Sequence, residues 1–483
     1  MSDPAHNPHH QRRWAILAVL GIAQLMVVLD STVVNIALPS AQMDLGFSDD
    51  NRQWVITAYT LAFGSLLLFG GRLADVFGRK RLLLAGLIGF SVASAVGGSA
   101  PNFEVLVIAR AAQGLFGALL APAALSTLTT TFTDPKERGK AFGIYGAIAG
   151  AGAALGLILG GVLTQYLSWR WCLYVNLVLA IPAAIAAVLL LTNQRPEGKA
   201  RLDLLGTVAV SVGLLGIVYG CSQAATNGWT STTTLGCLIG GLVLLVIFVL
   251  IELRVKNPLL PMRVVLDRSR GGAYLGLGLA CVGMFGVFLF LTYYLQTILQ
   301  YSPITTGFAF LPMVGGIMVM ATLSTAVLLP KVGARVPVFA GMVFSAVGMA
   351  LLTQIGIDTS YVTHVLPGLV VLGLGLGMLF ATCFEVGTSG VAAHDAGVAS
   401  AMANTTQQIG GSIGTALLST IAASAVVSFM ADGLGDQMAA AVHSYSVAFW
   451  VSAGVFAVSA VVCGLLIPGG VHERETTSAP SGD

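Results

Sequence analysis

Asp30 stands inside an apolar stretch that runs from about residue 15 to 38, and Arg110 stands inside another, from about 105 to 129. An ionised carboxylate in hydrocarbon is costly unless it is paired, hydrated or protonated, so Asp30 must face a protein interior. It precedes Leu38 by eight residues, which is about 12 Å along a helix rising ~1.5 Å per residue. Arg110 lies five residues into its own, oppositely directed stretch, at a similar depth. Burial favours the neutral acid and a nearby cation favours the carboxylate. A carboxyl group whose surroundings change is therefore suited to taking up and releasing a proton. Gln113, one helical turn from Arg110, is spaced to steady such a charge.

The elements that must hold these residues are hydrophobic helices. The 483 residues are 56% hydrophobic and only 9% charged, with a mean hydropathy of +0.87 and a net charge of +2. A soluble domain carries about 25% charged residues, and so even a balance excludes a basic nucleic-acid binder. Apolar runs of the length that crosses a bilayer recur at approximately 15–38, 52–71, 82–100, 105–129, 141–165, 172–192, 204–223, 235–253, 272–298, 306–329, 337–356, 364–387, 400–427 and 446–467. Continuous runs of this length are helices, not the alternating ten-residue strands of a membrane barrel. The expectation is an all-α polytopic membrane protein with fourteen transmembrane helices.

Orientation follows from the basic residues, which stay on the cytoplasmic side of short loops. With both termini inside, all 23 Lys and Arg residues except Arg52, Arg170 and the intramembrane Arg110 fall in cytoplasmic segments. A missed span would scatter them, so the distribution also supports the count. The twin arginine before span 1 has no small-residue cleavage site after it and reads as the start of an uncleaved anchor. The six cysteines are singly placed, without metal-ligand spacing or a disulfide framework.

Six spans from each end leave spans 7 and 8 in the middle, and the two six-span blocks echo one another. Gly71-Arg-Leu-Ala-Asp75-Val-Phe-Gly78-Arg79-Lys80-Arg81 follows span 2, and Pro330-Lys331-Val332-Gly333-Ala334-Arg335 follows span 10. Duplicated halves suit a transporter whose substrate site lies between them. The division read from the sequence is a cytoplasmic tail at 1–14, a six-helix bundle at 15–192, a linker and two additional helices at 193–254, a cytoplasmic connection at 255–270, a second six-helix bundle at 271–467, and a cytoplasmic tail at 468–483.

Together these residues resemble the major facilitator superfamily, in its fourteen-span drug:proton antiporter branch, over essentially the whole chain. Leu29-Asp30-Ser-Thr-Val-Val-Asn35-Ile-Ala-Leu-Pro39 is similar to the branch's first-helix signature. Gly71 to Arg81 is similar to the superfamily loop pattern. Arg110-Ala-Ala-Gln113-Gly114 in span 4 and Gly152-Ala-Ala-Leu-Gly156-Leu-Ile-Leu-Gly160-Gly161 in span 5 resemble the antiporter motifs. Two positions depart from the pattern: Val76 where another cation is frequent, and Leu157 where proline is frequent.

The resemblance implies two pseudo-symmetric six-helix bundles plus two extra central helices, and it implies that helices 1 and 4 adjoin. The Arg110 guanidinium would then hold Asp30 ionised in one state and release it in another, the behaviour of a proton carrier. The alternative is a permanent ion pair that orients the two helices. Gly71, Asp75, Gly78, Arg79 and Lys80 become a cytoplasmic gate, with Asp75 at the N-terminus of helix 13, where the macrodipole favours negative charge. Retention of inside-positive charge explains the cations alone. Gly152, Gly156 and Gly160 form a smooth stripe at every fourth residue. It is expected to pack with Gly161 on the other half, or simply to serve ordinary close helix packing. Gln24, Asn35, Tyr59, Gln113, Tyr293, Gln296, Asn404, Gln407 and Gln408 supply polar and aromatic handles for a substrate cavity, or hydrogen bonds between helices. Glu385 is either a second titrating group or a carboxylate solvated at the interface. Spans 7 and 8 hold almost no internal polar groups and are expected to pack peripherally.

The function expected is proton-coupled export of amphipathic small molecules such as drugs, antibiotics or dyes across the cytoplasmic membrane. Its partners would be substrate, protons and lipid, with no nucleic acid, no cofactor and a monomeric chain. No nucleotide-binding glycine loop and no cluster of catalytic residues is present in the sequence, so an enzyme is not expected. The alternatives are a dedicated single-metabolite exporter, a symporter, or a membrane sensor that binds without transporting.

Overall fold

The computed structural model describes residues 12–48, 51–132, 134–192, 203–255, 260, 262–389, 391, 396–433 and 436–469. Most of both tails, residues 193–202 of the linker, residues 256–259 of the connection, and the side chains of Arg72 and Asp75 lie outside the described residues. The described residues are mostly helical. Helices α1 (Arg13–Leu45), α2 (Trp54–Phe77), α3 (Arg79–Gly98), α4 (Phe103–Thr131), α5 (Pro135–Tyr166) and α6 (Trp171–Leu190) come first, followed by α7 (Leu204–Asn227) and α8 (Thr232–Glu252). Then come α9 (Arg268–Tyr293), α10 (Pro303–Leu323), α11 (Arg335–Leu352), α12 (Leu366–Thr388), α13 (Ala396–Ala431) and α14 (Gln437–Leu466).

Among the described residues, eleven helical stretches are long and apolar enough to cross a membrane. Three further helices, α2, α5 and α7, carry shorter apolar segments at Trp54–Leu67, Ala151–Tyr166 and Leu205–Cys221. Large aliphatic side chains such as Ile181 and Ile185 on α6, and Leu242 and Val246 on α8, are exposed. That arrangement suits a surface facing hydrocarbon, where no hydrophobic penalty attaches to them.

The packing repeats. In the first set α1 packs on α4, α5 and α6, α2 on α4, and α3 on α4 and α6. In the last set α9 packs on α12, α13 and α14, α10 on α12, and α11 on α12 and α14. Each pair is the other displaced by eight helices. The contacts between the sets obey the same symmetry, since α5 meets α10 and α13 meets α2.

Two boundaries differ from the sequence expectation for physical reasons. Helix α1 runs through Pro39 to Leu45 and stops only at Gly46, which takes the left-handed conformation at φ 69°. The expected loop after span 2 is the end of α2, one residue, and the start of α3. Gly78 makes the whole turn at φ 92°, a conformation that costs glycine little. Gly333 does the same before α11 at φ 73°, so the sequence echo is an echo of backbone geometry.

The middle helices are not equally peripheral. α8 packs chiefly on α7, whereas α7 packs on α2 and on α13. Ser211 of α7 donates to the Ser65 carbonyl of α2 at 3.1 Å, and Thr420 of α13 donates to the Cys221 carbonyl of α7 at 3.2 Å. The sequence analysis missed this bridge because two hydroxyl-to-carbonyl bonds leave no charge pattern.

Candidate functional site: a buried charge pair between two helical sets

Asp30 is fully buried on α1, and four other helices, α2, α3, α4 and α6, supply the polar groups around it. Arg110 on α4 donates through Nη1 to Asp30 Oδ2 at 2.5 Å and to Gln113 Oε1 at 2.9 Å. Its Nε donates to the Val55 carbonyl of α2 at 3.0 Å. The guanidinium also lies 4.4 Å from the centre of the Tyr59 ring, a cation–π contact. The opposite oxygen, Asp30 Oδ1, accepts from Gln113 Nε2 at 2.8 Å and from Asn176 Nδ2 of α6 at 2.7 Å. Ser94 of α3 accepts from the same Gln113 nitrogen at 2.7 Å and from Asn176 at 3.3 Å.

This is a carboxylate with three donors, in a place that excludes water. A buried pair of this kind is a weak source of net stability, because desolvation offsets much of the attraction, yet breaking it is expensive. It therefore has two well-separated conditions, made and broken. Two buried polar atoms beside it, Asn176 Oδ1 and the Tyr59 hydroxyl, have no hydrogen-bond partner. On the side of the pair towards the C-terminal end of α1, a cavity of about 10 Å³ is lined mainly by hydrocarbon, including Val34, Leu38, Val55, Leu106 and Leu173. The space is about one water in volume, and Arg110 itself forms part of its wall.

Of the residues expected at the proton-coupling position, Asp30, Arg110 and Gln113 all meet. Ser94 and Asn176 were missed. Asn176 had a signal in the sequence: it is the one amide, and no charge accompanies it, in the apolar run Trp171–Leu190. Tyr59, expected in a substrate cavity, instead stacks against Arg110 and Phe63.

The remaining cavity candidates separate into groups. Tyr293, the last residue of α9, and Gln296, in the π-helical turn Tyr294–Ile298 that continues it, join the two sets. The Tyr293 hydroxyl donates to Gln42 of α1, its ring lies 4.2 Å below the Arg52 guanidinium, and Gln296 donates to the Ile36 carbonyl at 3.0 Å. Gln24 accepts from the Tyr145 hydroxyl at 2.7 Å within the first set. Asn35, Asn404 and Gln407 donate to carbonyls one turn back in their own helices. Gln408 lies where α13 meets Gly64 of α2, and Ser412 one turn on donates to Thr60 at 2.7 Å. Glu385 is exposed in the last turns of α12, the condition of a solvated carboxylate.

The glycine stripe faces α1 of its own set, which corrects the expectation that it packs on the other. A Cβ at Gly152 would stand 3.1 Å from Leu25, and one at Gly160 3.0 Å from the Val33 carbonyl. At Gly156 it would collide with the Thr32 hydroxyl. Gly161, one position off the stripe, does reach across: its Cβ would stand 2.7 Å from Ile304 Cα of α10. The reason is helical phase, since a step of one residue turns the face by about 100° at 3.6 residues per turn.

In the expected gate, Gly71 lies against Pro122 of α4 and Gly78 makes the turn. Arg79 opens α3 half-buried, and Asp75 is among the side chains outside the described residues. Lys80 donates to the carbonyls of Val188 at 2.8 Å and Leu191 at 2.5 Å, at the C-terminal end of α6. There it satisfies carbonyls the helix leaves open and meets the negative end of the macrodipole.

The sequence profile of the Major Facilitator Superfamily matches residues 20–415. The chain belongs to that superfamily. It is 50% identical over 476 residues to the puromycin resistance protein of Streptomyces alboniger, covering 97% of this chain and 94% of that one. It is 40% identical to the cephamycin export protein of Amycolatopsis lactamdurans, covering 83% of each. It is 33% identical to the tetracenomycin C resistance and export protein of Streptomyces glaucescens, covering 88% and 79%. Among solved structures, a bacterial homologue of the human lysosomal transporter Spinster, inward-facing and unoccupied, matches with a TM-score of 0.63 at 15% identity over 97% and 98% of the two chains. A peptide transporter in complex with sulfate matches with a TM-score of 0.64 at 15% identity over 93% of each. This major facilitator protein is a multi-pass membrane transporter rather than an enzyme, and the three relatives named here are resistance or export proteins.

Proposed function

We propose that the chain is a proton-coupled antiporter that exports amphipathic small molecules across the cytoplasmic membrane by alternating access. Fourteen membrane crossings, both termini inside, and two bundles at 15–192 and 271–467 that rock about the contacts of α2 with α13 and α5 with α10 form the frame of this reading. The observation that carries it is Asp30, fully buried and ion-paired with Arg110 inside a transporter. A proton that neutralises Asp30 removes the attraction holding Arg110, and the helices joined by that pair are freed to shift. Movement of one charge through 100 mV supplies about 2.3 kcal/mol, enough for a roughly 50-fold substrate gradient.

Each relative named above is a resistance or export protein for one antibiotic, which favours a narrow substrate range as the second reading. Puromycin is the first compound to try, on the strength of 50% identity. The test uses the full chain in sealed vesicles with an imposed pH gradient, following puromycin and a panel of amphipathic dyes. Gradient-dependent accumulation supports the antiporter, and accumulation of puromycin alone supports the narrow range. Transport that ignores the pH difference removes the proposal.

A further inference from the structure

The proton-coupling reading leaves one atom without a role. Asn176 Nδ2 donates to Asp30 while Asn176 Oδ1, on the same amide, is buried with no partner. An ionised carboxylate only accepts hydrogen bonds, but a carboxylic acid must also donate its O–H. Most of the groups around Asp30 cannot take that hydrogen. Arg110 has donors only. Gln113 turns its Nε2 to Asp30 and its Oε1 to Arg110, and both lone pairs of Ser94 Oγ are taken, by Gln113 and by Asn176. The Tyr59 hydroxyl has no partner, but its ring is held against the guanidinium. Asn176 Oδ1 is the acceptor that a rotation of one side-chain torsion brings to Asp30.

We propose that Asn176 is a positioning residue for the proton carrier and serves both of its protonation states by reversing its amide. In the state described here it donates Nδ2–H to the carboxylate. When a proton adds to Asp30, the amide turns over, Oδ1 accepts the new O–H, and Nδ2 turns away from Asp30. One O–H bond forms on Asp30 and no other covalent bond changes. Unlike Gln113, whose amide is fastened at both ends by Arg110 and Ser94, Asn176 is held only through its nitrogen. It is therefore the amide free to turn.

The titratable and charged groups facing Asp30 are Arg110 on α4, Tyr59 on α2 and Cys172 on α6. α3 contributes Ser94, and α5 contributes Gly156. Tyr145 of α5 and Tyr293 of α9 meet α1 at Gln24 and Gln42, well along the helix in either direction.

This inference rests on the proton-coupling reading, so its test separates the two. The full chain is reconstituted in lipid, and infrared difference spectra are taken between acid and alkaline buffer. The protein as it stands should show a carboxylic-acid band that Asp30→Asn removes. Asn176→Leu should keep that band but move it to higher frequency, because the acid has lost the acceptor for its O–H. The pH midpoint of gradient-driven transport should also move alkaline by roughly half to one unit, since the bond lost from the charged form is stronger than the one lost from the neutral form. Substrate exchange, which needs no net proton transfer, should persist. Asn176→Ser, whose hydroxyl is too short to reach Asp30, should behave as Asn176→Leu does and covers a folding failure of the latter. A band and a midpoint unchanged in both variants overturn the role of Asn176 while leaving Asp30 as carrier. The absence of any band sensitive to Asp30→Asn overturns the carrier reading and this inference with it.

Discussion

The Tyr293 hydroxyl donates to Gln42, so the end of α9 is tied to the end of α1 across the boundary between the two helical sets. The Arg52 guanidinium, buried 4.2 Å above the same ring, strengthens the tie, a contact worth about 2 kcal/mol when desolvated. Tyr293→Leu removes both interactions. Paramagnetic labels at the exposed Met43 and Val362 should then report a roughly thirtyfold larger ratio of longer to shorter separations, the shift expected from about 2 kcal/mol. An unchanged distance distribution would show that the closure holds without Tyr293.

Asp30→Asn keeps the shape of the side chain and removes its ability to ionise, and because a donating amide replaces one accepting oxygen it also gives up hydrogen bonds that oxygen accepted. Gradient-driven accumulation of substrate in vesicles should fall from its proton-powered level to simple equilibration. Binding of the same compound, followed by quenching of intrinsic fluorescence, should survive within a few-fold. Undiminished accumulation by this variant would mean that another group carries the proton.

Which parts of this site could be read from the sequence depended on whether the feature was a charge, a phase or a neighbour. Asp30 and Arg110 announced themselves, because hydrocarbon penalises an isolated charge wherever it lies. Gly78 and Gly333 showed as a repeat, and their positive φ gives that repeat its meaning. Asn176 lay in plain view but carries no charge and belongs to no pattern of spacing. The glycine stripe was legible as a smooth face, yet which helix it meets is a tertiary fact: Gly160 lies on α1 and Gly161, the next residue, on α10. Tyr293 and Gln296 were placed in a cavity because polar groups in membrane helices invite that reading. Whether they line a space or close it depends on α1 lying opposite.

The two faces of α5 should respond differently to the same small change. Gly156→Ala drives a methyl into the Thr32 hydroxyl inside one helical set, and overpacking of this kind costs about 1–3 kcal/mol. The thermal unfolding temperature in detergent should drop, and Thr32→Ala in the same chain should restore part of it. Gly161→Ala presses instead on the α10 backbone at Ile304. It should lower transport rate while changing the unfolding temperature less, because it opposes the approach of the two sets and not the integrity of either. Equal effects at both positions would argue against α5 having one face within its set and one between sets.

Lys80 offers the sharpest division between a gate and a cap. As a gate residue it would pair across the two sets in one conformation only, and its loss would shift the conformational balance. The bonds it makes are to the Val188 and Leu191 carbonyls of α6, within the first set, where both partners move together. Lys80→Met keeps the aliphatic stem and removes the ammonium, leaving those carbonyls without their donor. The expected outcome is a loss of about 1 kcal/mol in stability, read as earlier thermal unfolding. The distance distribution between labels at Met43 and Val362 should be unchanged from that of the parent chain. A shifted distribution with unaltered unfolding would return Lys80 to the gate.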